Sequence, residues 1–436
     1  MKKQIETSYR PDIDGLRTIS VIAVFLFHLF PDVFPSGFLG VDFFFVISGY
    51  LITKIILREL IEHQAKFSFL NFYARRCRRI LPLLFLVLFV TNIFAFLSLA
   101  ATDYLSFLES SQYAYLQISN FLFLRSTEYF SESNLELLLH TWSLAVEEQF
   151  YLFWPLILYV CYRFRRRIKP IIVVSIIFLF SLLASQWATS NAPQEAFYMF
   201  LFRAFEFCVG AFLSFGYQKP FKNQLHNEIA ASLGIGFIVL SLSGIFTNSE
   251  YPGFRALLPC VGVALLIFTG EKSHRFSLVN RFLANPVFVK IGLLSYAIYL
   301  WHWPVIELYK YIFDKTELTL LSAFWIFIIS VILSVVSHEY FEKPMRYKKD
   351  YAAFFPFLPK KVLGRESNQR VILVSVLVAL LFVGINSSLK ALGSSDIRMA
   401  KIDIEGEKRL EINESNSCHS IDEIEPNYFA CDTGDL

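Results

Sequence analysis

Apolar runs of about twenty residues, parted by short polar loops, follow one another along most of this chain. A membrane-spanning helix needs about 20 mostly apolar residues. Eleven segments reach that length, at 16–34, 38–60, 80–100, 137–162, 170–190, 197–216, 228–247, 255–270, 286–312, 318–340 and 370–392. The pattern predicts an all-α polytopic membrane protein. The first run carries internal charge and passes into the second without a small-residue cleavage site, so it reads as a retained span and not a cleaved leader. Segment 101–136 mixes YLQISNFLFL with SESN. It fits an outer loop that carries a short helix packed against the bundle.

The loops orient the spans. With the N-terminus in the cytoplasm, the inner side receives Lys2 and Lys3, RRCRR (75–79), RFRRRIK (163–169), Lys219 and Lys222, Lys272, Arg275 and Arg281, and KPMRYKKD (343–350). The outer short loops keep Arg125, Arg255 and Lys315. That asymmetry predicts a cytoplasmic N-terminus and, after an odd number of spans, an outer C-terminus. A transmembrane 101–136 would invert every later basic loop, which argues against it.

Composition narrows the class further. With 55% hydrophobic and 17% aromatic residues among 436, and a mean hydropathy of +0.49, the chain is no ordinary soluble globule. The net charge of +3 reflects uneven placement of basic residues and gives no reason to expect nucleic acid as a partner. Cys77, Cys161, Cys208 and Cys260 lie in or beside apolar runs, and no CxxC pair exists, so no metal site is expected. Cys418 and Cys431 fall in the polar tail 393–436, where an outer location would permit a disulfide.

Ionisable groups inside the apolar runs carry the chemistry, since each is costly in a bilayer. Arg17 and His28 stand eleven residues apart, almost three turns, on one face and about 16 Å apart along the axis. Asp14 precedes them. The turn PDVFPS (31–36), with Pro31, Pro35 and Gly37, makes a hairpin of the first two spans and sets Asp42 at the depth of His28. The pair serves either as an oriented imidazole or as a structural hydrogen bond. In the fourth span, His140, Glu147 and Tyr151 share a face with Glu148 beside them. Arg203 and Glu206 form an i,i+3 pair, either self-neutralising or ligand-binding. His302, in YLWHWP, belongs either to a site or to an interfacial aromatic anchor. Arg75, Arg76 and Arg79 satisfy topology alone, or grip phosphates with planar donors. Without a Walker loop or GxGxxG, a nucleotide-hydrolysing or dinucleotide enzyme is disfavoured. Basic groups at the inner face and a His/Asp/Glu cluster toward the outer half suit chemistry between a phosphate-rich cytoplasmic donor and an acceptor reached from outside. They suit a transporter or flippase equally.

Taken together, YRPDIDGLRTISVIAVFLFH, GFLGVDFFFVISGYLI, FYARRCRRILP, HTWSLAVEEQFYLFWP, SYAIYLWHWPVI and EYFEKPMR resemble the acyltransferase-3 family of bacterial membrane O-acyltransferases over about residues 9–350. The resemblance implies a ten-helix bundle in the inner membrane that takes an acyl group, most often acetyl, from cytoplasmic acetyl-CoA as substrate, with no bound cofactor. The implied acceptor is a hydroxyl of an envelope glycan or lipid-linked oligosaccharide, such as lipopolysaccharide O-antigen. By the family's motifs, His28 is the essential histidine, and the motif glutamates are Glu147 and Glu148; the hairpin adds Asp42 as the residue expected to orient His28. Arg17, Arg75, Arg76 and Arg79 are expected to meet acyl-CoA. Asp14, Tyr151, Arg203, Glu206 and His302 are further candidates. A linker at 351–369, an eleventh helix at 370–392 and the tail at 393–436 resemble the subgroup with a fused periplasmic SGNH-type domain. The sequence stops at CDTGDL before that domain's GDSH block. A truncated SGNH-type start, completed by a separate SGNH partner, is the resulting expectation.

Overall fold

The computed structural model describes residues 9–62, 67–126, 135–165, 167, 169–216, 221, 223–245, 251–271, 276–315, 317–348 and 368–392. The tail with Cys418 and Cys431, and all but the last two residues of the expected linker, lie outside them.

Each of the eleven apolar runs is helical. The first two form α1 (Pro11–Leu29) and α2 (Gly40–Glu62). Pro11 opens α1 at its first turn, where its missing N–H costs nothing. A short 3-10 turn, Gly37–Leu39, leads into α2. Next come α3 (Phe69–Ser98), α4 (Ala101–Tyr115), α5 (Ser119–Ser126), α6 (Thr141–Arg163) and α7 (Pro170–Asn191). The sixth run divides at Met199 into α8 (Pro193–Tyr198) and α9 (Phe200–Ser214). The remaining helices are α10 (Gln224–Leu242), α11 (Leu257–Thr269), α12 (Leu278–Leu283), α13 (Pro286–Ile312), α14 (Leu320–Ser337) and α15 (Asn368–Leu392). Asn285 caps α13 by accepting from the Val287 N–H at 2.9 Å, ahead of Pro286. Segment 101–136 holds two helices, α4 and α5, where one was expected. Gln117, at φ 56°, turns the chain between them.

Among the described residues, eight helical stretches are long and apolar enough to cross a membrane. The sequences of α1 and α13 are diluted by Asp12, Asp14 and Arg17 in one and by Tyr299, Trp301, His302 and Trp303 in the other. The bundle turns apolar side chains outward, as a lipid solvent requires: Leu152, Phe153 and Leu156 on α6, Ile176, Phe180 and Leu183 on α7, and Leu320, Leu321 and Phe324 on α14 are exposed. Every backbone polar group inside hydrocarbon must find its partner within the protein, and helices achieve that locally.

Paired contacts fix the relative sense of the spans. Thr18 Oγ1 reaches Phe288 O at 2.5 Å and His28 reaches His302 at 3.1 Å, so α1 and α13 run parallel. Helices α2 and α6 are parallel through Ser48–Glu147 and Trp154–Thr53, and α2 and α9 through Asp42–Arg203 and Tyr50–Ser214. Arg78–Asn368 and Asn92–Asn386 align α3 with α15. In each of these pairs an odd span lies parallel to an odd one, or an even span to an even one. Helices α2 and α9 cross at glycines: a methyl group on Gly49 would overlap the Phe207 carbonyl, and one on Gly210 the Val46 carbonyl. Small residues at such crossings let backbones approach where no hydrophobic force drives association.

Candidate functional site

A cavity of about 250 Å³ lies among α1, α2, α3, α6 and α13. Its wall is mostly apolar, with a ring of convergent polar groups. Arg17 comes from α1, Ser48 from α2, Arg76 and Arg79 from α3, Ser143, Glu147, Glu148 and Tyr151 from α6, and Ser295, Tyr296 and Tyr299 from α13. Five separate sequence motifs thus meet in one space.

The arginines divide. Arg17 keeps a long contact, 3.4 Å, to Asp14, whose other oxygen accepts from Tyr9 at 2.7 Å. Arg76 and Arg79 make no ion pair among the described residues. The Arg76 guanidinium lies over the rings of Phe72 and Tyr151, at 5.8 and 5.7 Å, and its Nε is buried without a hydrogen-bond partner. Two guanidinium groups that line a cavity without a direct ion pair offer donors to an anion. Arg75 points elsewhere, pairing with Glu59 at the exposed surface, and Arg78 donates to Asn368 at 2.9 Å. The alternation of RRCRR around the helix causes this split: positions 76 and 79, three apart, share the inward face.

On the opposite wall, Ser48 and Tyr151 both donate to one oxygen of Glu147. Glu148 faces the same cavity. Sequence reading found both glutamates and Tyr151 but missed Ser48. A lone hydroxyl within FFFVISGY was the available signal.

The cavity ends at a cross-brace. Tyr299 donates to the carbonyl of His140 at 2.8 Å and lies 2.6 Å from Ser143 Oγ. Beyond it stands a cluster of three histidines. His28 Nδ1 is 3.1 Å from His302 Nε2, with the two rings stacked at 5.2 Å. His140 meets His302 edge-on at 5.7 Å. His302 and His140 are buried, while His28 keeps partial exposure beside Trp303 and Phe27. On α13, His302 follows Tyr299 by three residues, so the histidines stand roughly 4.5 Å along the axis past the end of the cavity.

One expectation is corrected. Asp42 does not pair with His28: it accepts from Arg203 at 2.5 Å and from Tyr251, and Arg203 also meets Glu206 at 3.1 Å. The group is fully buried, with the Arg203 guanidinium 5.5–5.8 Å from the rings of Phe45, Trp142, Phe197 and Tyr251. Equal depth in a hairpin fixes height but not the direction in which a side chain leaves its helix. Arg203 and Glu206 accordingly act as a structural network apart from the cavity. His302 occupies the place beside His28 that Asp42 was expected to fill.

Comparison with known proteins places this arrangement. The family model described as an acyltransferase domain, Acyl_transf_3, matches residues 10–339. The O-acetyltransferase OatA of Staphylococcus aureus (strain NCTC 8325 / PS 47) is 31% identical over 408 residues, covering 90% of this chain and 66% of the relative. The peptidoglycan O-acetyltransferase OatA of Listeria monocytogenes is 31% identical over 364 residues, covering 80% of this chain and 57% of the relative. The chain thus spans just under two thirds of the length of the first of these and less of the second. No solved structure matches significantly.

Proposed function

This chain belongs to the Acyl_transf_3 acyltransferase family, and from that premise we propose that its bundle carries an acyl group, acetyl first, from cytoplasmic acyl-CoA to a hydroxyl of an envelope glycan. The observation that carries the reading is the pair Arg76 and Arg79, without ion pairs among the described residues, on a cavity that ends at the Tyr299 brace, with the cluster of His28, His140 and His302 next beyond it. The cavity is below the usual size of a drug-sized ligand site, about 300–1,000 Å³. It therefore suits the narrow thioester arm of the donor, with its phosphates held at the arginines. Arg17 supports that end.

His28 acts as general base on the acceptor. The hydroxyl gives its proton to the imidazole as its oxygen attacks the thioester carbonyl. The carbon–sulfur bond breaks, and the departing thiolate takes up the proton that the imidazolium holds, which restores the base. Glu147, held by Ser48 and Tyr151, and Glu148 set the charge along the path between the arginines and the histidines. The relatives' names favour acetyl as the group and peptidoglycan as the acceptor over the lipopolysaccharide O-antigen expected from resemblance alone. The reaction is set in the inner membrane.

The test is thiol release from acetyl-CoA by the purified chain in lipid bilayers supplied with peptidoglycan fragments as acceptor, joined to mass spectrometry of envelope glycans from cells with and without the gene. Wild type should release CoA, and the glycans should gain acetyl mass. His28→Ala should abolish release at unchanged protein level. Arg76→Ala with Arg79→Ala should raise KM for acetyl-CoA by about 10-fold or more, the loss of roughly 1.4 kcal/mol or more of binding. Glycan transport without CoA release would favour a flippase and sink the proposal.

A further inference from the structure

We infer that His302 is the positioning residue that decides which nitrogen of His28 faces the acceptor, an inference that rests on the acyl-transfer reading above. The argument starts from the backbone of α13. His302 Nδ1 lies 2.6 Å from the carbonyl oxygen of Tyr299 and 3.2 Å from that of Ile298. A carbonyl oxygen only accepts, so Nδ1 carries the hydrogen. In a neutral imidazole the other nitrogen then holds the lone pair. That nitrogen, Nε2, is the one 3.1 Å from His28 Nδ1.

The assignment passes on to the second ring. A bare His302 Nε2 needs a donor, so His28 Nδ1 is protonated and its lone pair sits on Nε2. Backbone carbonyls of the ninth span thereby set the tautomer of a histidine in the first. Among the described residues no carboxylate bonds to His302, and Phe25 covers its ring at 5.4 Å. Its neighbours thus match a neutral ring that relays orientation. His28 keeps partial exposure, and His302 is 1% exposed, which gives the proton-accepting role to the first and the holding role to the second. When His28 Nε2 takes the hydroxyl proton, the Nδ1–H···Nε2 bond remains in place and shares the new positive charge. The ring does not turn during the step.

The same arrangement explains why Asp42 is free to serve elsewhere. A carboxylate commonly orients a basic histidine. Here a second imidazole, itself pinned to its helix, does so without placing a negative charge beside the base.

The experiment uses the full chain, labelled with ¹⁵N-histidine, in lipid bilayers. Solid-state NMR reads which ring nitrogens carry hydrogen, and thiol release from acetyl-CoA, with peptidoglycan fragments as acceptor, is measured on the same samples. In the wild type, His28 should show a bare Nε2 and a protonated Nδ1. His302→Leu removes the acceptor: the His28 signals should spread over both tautomers, and kcat should fall about 100-fold, within the range general-base catalysis supplies, with KM for acetyl-CoA unchanged. His302→Gln offers an amide oxygen to the same N–H and should restore most of the loss. A wild-type spectrum with His28 bare at Nδ1 overturns the inference, as does a His302→Leu variant with wild-type kcat. A wild type that releases no thiol overturns the acyl-transfer reading instead, and the nitrogen spectrum still decides the role of His302.

Discussion

Asp42, Arg203 and Glu206 share one buried pocket, and removing one member of such a group leaves an uncompensated charge, a loss of about 3–5 kcal/mol. Asp42→Asn should therefore lower the yield and thermal midpoint of folded protein in detergent, while thiol release per folded molecule stays near wild type. A stable variant with abolished release would return Asp42 to the reaction. The contrast with His28 shows what a sequence discloses at this scale. Arg17 and His28 share one helix, so 3.6 residues per turn sufficed to put them on one face. The His28–His302 bond joins positions 274 apart, and no local periodicity reaches that far. Asp42 was misplaced for a related reason, because depth follows from counting residues and azimuth does not. Ser48 and Ser143 were missed because a lone serine in an apolar run resembles any helix-packing hydroxyl until a carboxylate or phenol is seen against it.

Helices α2 and α9 illustrate how elements set the site. Their glycine crossing draws α9 close enough for Arg203 to reach Asp42 and for Ser214 to donate to the Tyr50 carbonyl at 2.7 Å. Gly210→Leu would drive a side chain into the Val46 carbonyl. Overpacking of this kind costs about 1–3 kcal/mol or more. Loss of folded material should follow, measured as a lower thermal midpoint in detergent, whereas Gly236→Leu, at a position with open space around it, should be tolerated. An equal midpoint for both variants would remove the crossing from the account. Hydropathy located all eleven helical runs, because length and apolarity are local. It did not locate the break at Met199 or the π-helical continuation of α14 through His338–Glu342 and Pro344–Lys348, which arise from packing and proline. It also merged α4 and α5, since the turn between them rests on a single residue, Gln117, in the left-handed region.

For the whole molecule, the parallel pairing of odd spans with odd and even with even matches an unbroken alternation across the bilayer. The basic loops assign its direction. With native cysteines replaced, Val33→Cys, in the exposed turn after α1, should react with an impermeant maleimide on intact spheroplasts, and Arg163→Cys, at the far end of α6, only after permeabilisation. The reverse pattern would invert the assignment and put the donor arginines on the wrong side for acyl-CoA. The long reach of the His28–His302 bond also has a consequence in time. At a synthesis rate of about 5–20 residues per second, the 274 residues between them take roughly 15–55 seconds to make. During that interval the cavity also lacks the wall that α13 supplies through Ser295, Tyr296 and Tyr299. Cavity and histidine pair are thus completed together, only once the ninth span enters the bilayer.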